Sequence, residues 1–364
     1  MTLRMPELPA TMQVFERGWL SSNNILFTGA DTALVDSGYL THAPQTLALV
    51  RHALGERPLA RLLNTHLHSD HCGGNALLQS TYACHTAIPA CEAAAVASWD
   101  EDALSYRATG QQCARFGFDA LLAPGDRLTL GDLSWEVLAA PGHDPHALLL
   151  FCASDGILIS GDALWENGFG VIFPELAGEP GFIEARATLD LIATLDARVV
   201  IPGHGRMFSD VDAALARAYS RLDYLASDPR RNAENAVKVM LKFLLLERQA
   251  IALIELPGLL ASIPVVRSAL RLMDPGTFVN VPWLVERVGG EPAHPTSRCM
   301  PEGEGDRIET SAQTRRVGGS PAHAFNDRVQ TRTPDASTAL ANWAIASLIR
   351  ANAARIDAGY LFDA

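Results

Sequence analysis

A short stretch near residue 64 contains more metal-binding side chains than an ordinary loop. Residues 64–75 read NTHLHSDHCGGN, with three histidines and an aspartate within six positions. His66 and His68 are separated by one residue, so both point to the same side of an extended segment, and Asp70 and His71 follow on the turn. Imidazole together with carboxylate is the ligand set that divalent zinc favours. The stretch therefore predicts a metal site and supplies enough ligands to contribute to two.

Three further ligand-type residues occur later in the chain, each directly after a predicted strand. They are His143 in APGHD, Asp162 in ISGDAL and His204 in IPGHG. A glycine beside each of them permits the tight backbone turn that a ligand loop requires. The complete set is five histidines and two aspartates, which suits two metal ions bridged by Asp162 and by a hydroxide.

Alternating strand and helix patterns must position these residues. Short β-rich runs predict strands at residues 25–27, 32–36, 61–64, 81–84, 135–139, 147–152, 157–160 and 199–201. Helical spacing of apolar residues predicts helices at residues 42–54, 183–195 and 212–225. The alternation predicts an α/β fold with its chemistry at a strand-to-loop edge.

Beyond residue 228 the composition changes, and the sequence divides into further units. Apolar helical patterns at 236–256, 265–273 and 283–288 predict a smaller helical unit over residues 229–288. Residues 289–335 are mainly Gly, Pro, Ser, Thr, Arg and Glu, which predicts a flexible linker. Residues 336–364 are predicted to form a terminal helix with apolar positions at Leu340, Trp343, Leu348 and Ile349.

The charge balance and the cysteines limit the partners and the compartment. Lys and Arg total 29 against 41 Asp and Glu, a net charge of −12, so neither nucleic acid nor a membrane surface is an expected partner. The six cysteines are scattered, and the opening MTLRMPELPATMQVFERGWL has no apolar stretch long enough for a signal peptide, which predicts reduced thiols in a cytoplasmic protein. The most apolar segment, 237–266, is interrupted by charges and a proline, which predicts core helix and no membrane span.

Taken together, the four ligand motifs resemble those of the metallo-β-lactamase superfamily over roughly residues 20–208. The resemblance implies a four-layered αββα sandwich with the metals at one edge of its two sheets. Residues 1–228 would then be a hydrolase domain, and 229–288 a small, winged-helix-like C-terminal unit. It also implies two ligand sets joined by one aspartate: His66, His68 and His143 on one metal, Asp70, His71 and His204 on the other, and Asp162 between them.

A few positions separate the branches of this superfamily. Asp162 stands where the true β-lactamases generally have Cys or Ser, and the distance to His204 is 204 − 162 = 42 residues, too short for the extra domain of the nucleases. The segment GDALWENGFGVIF is similar to one in glyoxalase II, but Val171 replaces a cation that holds glutathione there. Glutathione thioesters are therefore expected to bind poorly. Trp165 stands where the lactonases usually have Tyr.

The segment PGHDPHALLLF points to a related branch. Asp144 and His146 depart from the common pattern, and the segment resembles lactamase-like hydrolases with a C-terminal winged-helix or helical unit, some of which cut single-stranded RNA. Asp144 is expected to orient a ligand imidazole, and His146 to lie outside the ligand set.

These observations predict a metal-dependent hydrolase that cleaves a thioester, ester or lactone of a small-molecule substrate with a hydroxide shared by two metals. Asp70 and Asp162 are the expected catalytic carboxylates, and the cofactors are two divalent metal ions, zinc before iron or manganese. An oligomer is compatible with the sequence. Two alternatives remain open: a non-haem iron persulfide dioxygenase with the same fold and ligands, and an endonuclease of single-stranded RNA.

Overall fold

The computed structural model describes residues 7–273 and 336–364. The predicted linker at 289–335 and the predicted helix at 283–288 lie outside the described residues. Within the described residues, no helix is long and apolar enough to cross a membrane.

The first sheet has six strands within residues 7–273, arranged in chain order. They are β1 (Met12–Phe15), β2 (Asn24–Phe27), β3 (Ala33–Val35), β4 (Arg61–Leu63), β5 (His85–Pro89) and β6 (Ala120–Leu122). The first three strands pair antiparallel, whereas β3 to β6 are parallel to one another. Parallel pairing requires a crossover between strands, and the helices that follow β3 and β4 supply it.

The second sheet has five strands in the same part of the chain, in the order β11-β10-β9-β8-β7. They are β7 (Arg127–Leu130), β8 (Leu133–Ala139), β9 (Leu148–Cys152), β10 (Ile157–Gly161) and β11 (Val199–Pro202). β8 and β10 both pair antiparallel with β9, and β11 is parallel to β10. Consequently β8, β10 and β11 all run in one direction and end at the same edge.

The twelve α-helices of the described residues differ in length and in position. They are α1 (Ala43–Leu54), α2 (Ser69–Cys72), α3 (Asn75–Tyr82), α4 (Ala93–Ser98), α5 (Tyr106–Thr109), α6 (Pro174–Ala177), α7 (Phe182–Thr194), α8 (Val211–Ala226), α9 (Pro229–Arg248), α10 (Leu256–Ser262), α11 (Pro264–Leu272) and α12 (Ala336–Arg350). The longest of them cover the sheets or build the C-terminal unit.

Side-chain alternation along the strands produces the four layers. Ile25 and Phe27 of β2 face the second sheet, where they pack with residues such as Trp135 and Ile159, whereas Leu26 faces α1 and α3. On the second sheet Leu158 packs under α7 and α8. Each strand thus buries one set of apolar residues between the sheets and another under helices. The predicted αββα sandwich is confirmed.

The C-terminal unit is one further core. Helices α9 to α12 pack together with a three-stranded antiparallel sheet of β12 (Ala250–Ala252), β14 (Tyr360–Asp363) and β13 (Ala354–Asp357). Its buried side chains include Met240, Leu340 and Leu361, and Val171 and Leu176 of the sandwich join the same cluster. The unit is therefore mainly helical and is packed directly against the sandwich.

Three local predictions differ from the structure. Residues 81–84 are not a strand: α3, in which Leu78 packs between α1 and the first sheet, extends to Tyr82, and β5 begins only at His85. Helix α9 starts at Pro229, where the Asp228 side chain accepts a hydrogen bond from the backbone of Arg230, and it ends at Arg248. The terminal helix stops at Arg350, because residues 354–363 pair as a hairpin with a strand over a hundred residues earlier.

Candidate metal centre

Loops that follow β4, β8, β10 and β11 converge at one edge of the sandwich. β4 leads directly into the segment that carries four predicted ligands, and the three same-direction strands of the second sheet lead into His143, Asp162 and His204. Loops at the carboxyl ends of strands that run in one direction lie beside one another, and ligand sites form there. The structure thus brings all seven predicted residues to one place.

The imidazoles and carboxylates form two overlapping groups. In each group the potential ligand atoms lie within 4.8 Å of one another: His66, His68 and His143 make the first group, and Asp70, His71 and His204 the second. In the first group, Nδ1 of His68 lies 2.8 Å from Nε2 of His143. In the second, Oδ2 of Asp70 lies 3.0 Å from Nε2 of His204. These groups have the composition predicted from the sequence, and their role as ligands stays a prediction.

Asp162 lies between the two groups. Its Oδ1 is 3.4 Å from Nε2 of His71, and its Oδ2 is 3.4 Å from Nε2 of His143 and 3.8 Å from Nε2 of His204. Asp162 also groups with His66 and His71 as a third potential ligand set. This one carboxylate therefore contacts residues of both groups, as a bridging ligand must.

Asp36, which the sequence reasoning did not include, holds the second group in place. Its Oδ2 accepts hydrogen bonds from Nδ1 of His71 at 2.8 Å and from the Thr65 hydroxyl at 2.8 Å. A carboxylate on the outer nitrogen fixes the tautomer and orientation of a ligand imidazole. A sequence signal did exist, because Asp36 directly follows β3, the strand that lies parallel to β4.

Other contacts orient the first group. Nδ1 of His143 donates to the carbonyl of Val171, and Oδ2 of Asp144 lies 3.5 Å from Nε2 of His68. Asp144 is thus placed to orient His68. His146 is outside both groups. Its backbone N–H donates a hydrogen bond to Oδ1 of Asp144.

The donor set fits divalent metal ions. Nε2 of His66 and Nε2 of His71 are buried and have no hydrogen-bond partner in the structure, although buried polar atoms are normally paired. Imidazole nitrogens and carboxylate oxygens are the donors that zinc and related ions take. Buried nitrogens without a hydrogen-bond partner in such a cluster are typical of metal ligands.

The pKa shifts of His66, His68 and Asp162 also suit binding of a cation. Burial lowers the pKa of His66 well below its ordinary value, and burial with the neighbouring His143 lowers the pKa of His68 to about 4. Burial raises the pKa of Asp162, but the nearby His204 and His71 outweigh it and hold that pKa well below the usual range. At neutral pH, His66 and His68 therefore offer lone pairs and Asp162 offers negative charge.

Two glycines allow the ligand loops to approach this closely. A Cβ on Gly203 would lie 2.2 Å from Oδ1 of Asp162, and a Cβ on Gly170 would lie 2.5 Å from Nδ1 of His143. Contacts this short do not occur between real atoms, so both positions require glycine. The Gly203 backbone is held by hydrogen bonds to Gly161 and Asn23.

A cleft of about 620 Å³ opens onto the two groups. Aromatic side chains of Trp19, Trp165, Phe169 and Phe173 line it, together with Phe243 of α9. These walls are apolar and suit a partly apolar substrate. A second cleft of about 860 Å³ shares His68, His143 and Phe173 with the first, and α11 contributes to its wall. The C-terminal unit therefore forms part of both walls.

A positive charge that the sequence reasoning missed also lines the cleft. Val171, where the glyoxalase II segment has a cation, is buried at the cleft wall. However, Arg221 of α8 reaches the same cleft. No sequence signal identifies it, because it lies 221 − 204 = 17 residues after His204 on an amphipathic helix. A cation therefore lines the cleft at a position other than that of Val171.

Cys72, although it follows His71, faces away from the centre. Its sulfur contacts the Tyr106 hydroxyl at 3.2 Å and the Cys113 sulfur at 3.8 Å, and burial raises its thiol pKa well above the ordinary value. It therefore remains a protonated thiol, as expected for a residue without a catalytic role.

Comparison with known proteins gives consistent matches. A family model described as the metallo-beta-lactamase superfamily matches residues 17–204. The chain is 32% identical over 207 residues to the hydroxyacylglutathione hydrolase of Anaeromyxobacter dehalogenans (strain 2CP-C), which covers 56% of this chain and 69% of that protein. It is 29% identical over 140 residues to the mitochondrial persulfide dioxygenase ETHE1 of Homo sapiens, covering 38% of this chain and 46% of that one.

Among solved structures, a metallo-beta-lactamase family protein from Thermus thermophilus matches with a TM-score of 0.49 and 21% sequence identity. That match covers 71% of this chain and 91% of the other.

Proposed function

Because the chain belongs to the metallo-beta-lactamase superfamily and is an enzyme of its metallo-hydrolase type, we propose that it hydrolyses a thioester. Esters and lactones are chemically related substrates of the same kind of centre. The observation that carries the proposal is the position of Asp162, in contact with both ligand groups at the floor of an apolar cleft.

Two divalent ions, zinc before iron or manganese, are the proposed cofactors. His66, His68 and His143 would hold one ion, Asp70, His71 and His204 the other, and Asp162 would contact both. Bound ions of this kind supply Lewis acidity, which lowers the pKa of water to about 7 and polarises a carbonyl group.

Two carboxylates of the chain are the proposed catalytic residues. Asp162 fixes the spacing of the two groups, and the Trp165 indole N–H donates to its Oδ1 at 3.2 Å. Asp70 lines the cleft, and although burial raises its pKa, the hydrogen bond with His204 outweighs this and lowers it. Asp70 is therefore ionised at neutral pH. From this position it accepts the proton of the attacking water and returns it to the leaving thiolate.

Aromatic residues hold the substrate and exclude water. Trp19 stacks on His204 with ring centroids 5.4 Å apart, and Trp165 packs edge-on against both rings. The indole N–H of Trp165 is already engaged by Asp162, and an indole has no hydroxyl to donate to a lactone carbonyl. This arrangement favours thioesters with an apolar acyl group over lactones.

Nucleic acid is not a proposed partner. Three of the five basic residues of α9 contact neighbours in the structure: Arg230 with Asp228, Lys238 with Glu234 and Trp343, and Lys242 with Asp363. Their charges are partly neutralised, and the whole chain carries −12. Both facts argue against cleavage of RNA.

An assay of thiol release tests the proposal. The purified, metal-loaded protein is offered aryl and alkyl thioesters, lactones, aryl esters, cephalosporins and RNA, with thiol detected by a colorimetric reagent. We expect thioesters to be turned over fastest and a chelator to abolish turnover until metal is restored. Lactoylglutathione, in competition with a benzoyl thioester, is expected to be the poorer substrate because of Val171.

The similarity to a persulfide dioxygenase defines the outcome that would replace this proposal. The iron-loaded protein is given glutathione persulfide, and oxygen uptake is measured. Oxygen uptake, together with no release of thiol from any thioester, would identify an oxygenase. Metal analysis of the protein as purified gives a separate readout, because an oxygenase requires iron and a hydrolase functions with zinc.

A further inference from the structure

Arg221 is a cation on the cleft wall that the hydrolytic chemistry does not use. It projects from α8 and packs against Gly168, where an added Cβ would lie 2.9 Å from Cδ of Arg221. Its Cζ lies 5.8 Å from the centroid of the Phe169 ring. Its Nη2 donates to Oδ1 of Asn235 on α9 at 3.0 Å. The sandwich and the C-terminal unit thus fix this side chain together.

The positive charge of Arg221 is not balanced by the protein. Among the described residues, no carboxylate forms an ion pair with it, and burial alone lowers its pKa. Its Nε and the Asn235 Nδ2 are both buried without a hydrogen-bond acceptor. Withdrawing an unpaired cation and two donors from water is costly, so a protein keeps such a group where a ligand supplies the missing anion.

Arg221 and the metal centre both contact one short segment of the chain. Arg221 contacts residue 168, whereas the His143 ring packs against residue 170 of the same segment. Residues 168 and 170 are at most about 7 Å apart along the chain. Arg221 also lines the same cleft as His143 and Asp162, so one small substrate can reach both the cation and the centre.

We propose that Arg221 binds a carboxylate of the substrate, so that the enzyme prefers short thioesters with a carboxylate a few bonds from the scissile carbonyl. The planar guanidinium matches a carboxylate, and Asn235 keeps it oriented. The apolar walls take the remainder of the molecule. This inference rests on the proposed hydrolysis for its kinetic consequence, but the binding of the carboxylate is independent of turnover.

A matched pair of substrates tests the proposal. S-benzoyl-3-mercaptopropanoate carries the carboxylate on its leaving group, and S-benzoyl-3-mercaptopropanamide has the same shape without the charge. We expect the natural protein to prefer the carboxylate in kcat/KM, and Arg221→Gln to reduce the carboxylate-to-amide ratio about tenfold to a hundredfold. Arg217→Gln, one turn earlier on α8, should retain the ratio, because the Arg217 side chain donates a hydrogen bond to the Glu166 carbonyl.

Binding of a non-hydrolysable pair separates this inference from the proposed function. The thioethers 3-(benzylthio)propanoate and its amide are titrated by calorimetry into the metal-loaded protein. The proposal is supported if the natural protein binds the carboxylate thioether at least tenfold more tightly than the amide and Arg221→Gln loses this preference. This result supports it even if no thioester is cleaved. Equal affinities for the two thioethers, or a preference that survives Arg221→Gln, would overturn it while leaving thioester hydrolysis standing.

Discussion

At the scale of single residues, the centre combines buried imidazoles with carboxylates that contact them from two sides. Asp162 lies between the two groups and contacts both, whereas Asp36 accepts a hydrogen bond from Nδ1 of His71 and Asp144 lies beside Nε2 of His68. Each carboxylate is balanced by nitrogen donors or by positive charge, so the removal of any one changes the whole centre. Substitutions of a ligand and of a supporting carboxylate test this arrangement separately.

Removal of a ligand should remove a metal ion. In His68→Ala or His204→Ala, one metal equivalent and nearly all activity should be lost, because each imidazole supplies a bond that no neighbour replaces. Elemental analysis of the purified variants measures the metal content. His146→Ala is the control, since this side chain is outside both groups. If both ligand variants keep two metals per chain, the assignment is wrong.

Asp36→Asn should weaken metal binding without unfolding the chain. Asparagine tolerates the left-handed backbone of this residue, where φ is 58°, but it lacks the charge that holds His71. We expect metal affinity to fall about tenfold to a hundredfold, measured by competition with a chelator. The exposed Asp31→Asn serves as the comparison. Unchanged affinity in Asp36→Asn would mean that Asp36 does not support the centre.

At the scale of elements, strand direction creates the site. The strands β8, β10 and β11 deliver one ligand each at a common edge, and β4 delivers the remainder. The loops are short, so small residues decide how closely they approach one another. Gly203 illustrates this, since it lies against both Asp162 and His71.

Gly203→Ala should disturb the centre while the fold persists. The added methyl group would collide with Oδ1 of Asp162, and the backbone cannot retreat because hydrogen bonds hold it on both sides. Overpacking of this kind costs about 1–3 kcal/mol of stability, and we expect reduced metal content as well. Gly258→Ala in α10, where a Cβ meets nothing within 4 Å, is the matched control. Full metal occupancy in Gly203→Ala would contradict the argument.

At the scale of the whole molecule, the C-terminal unit and the sandwich function as one body. Tyr39 donates to Glu247 of α9 at 2.7 Å, Phe243 packs on the Tyr39 ring, and Val171 is buried in the core of the C-terminal unit. Helices of this unit also line both clefts. Substrate selection therefore depends on both parts of the chain.

The last segment should remain bound after the chain is cut. A specific protease site is inserted between residues 289 and 335, and the cut protein is analysed by size-exclusion chromatography. Residues 336–364 should co-elute with the remainder, because Leu340, Ile345 and Leu361 are fully buried and contribute about 1.5–3 kcal/mol each. Ile345→Asp should release the fragment. Separation of the fragment without this substitution would mean that the terminal segment is not part of the core.

From the sequence, local patterns predicted an α/β fold and the seven candidate ligands, and the resemblance to the metallo-β-lactamase superfamily implied the αββα sandwich. The two predictions from local patterns have a physical reason: alternating apolar residues define the strands, and ligand types beside glycine at strand ends define the loops. Residues 64–75 alone supplied four of the seven ligands. The apolar spacing in residues 336–350 is a local property as well, and it predicted that this segment is helical.

Only the tertiary structure decided which groups surround that centre. Arg221 meets Gly168, 221 − 168 = 53 residues earlier, and β12 pairs with a strand more than a hundred residues later. Contacts over such separations leave no periodic trace in the sequence, because they form only when distant segments of the chain pack together. The charge on the cleft wall and the extent of the C-terminal unit were therefore fixed by packing.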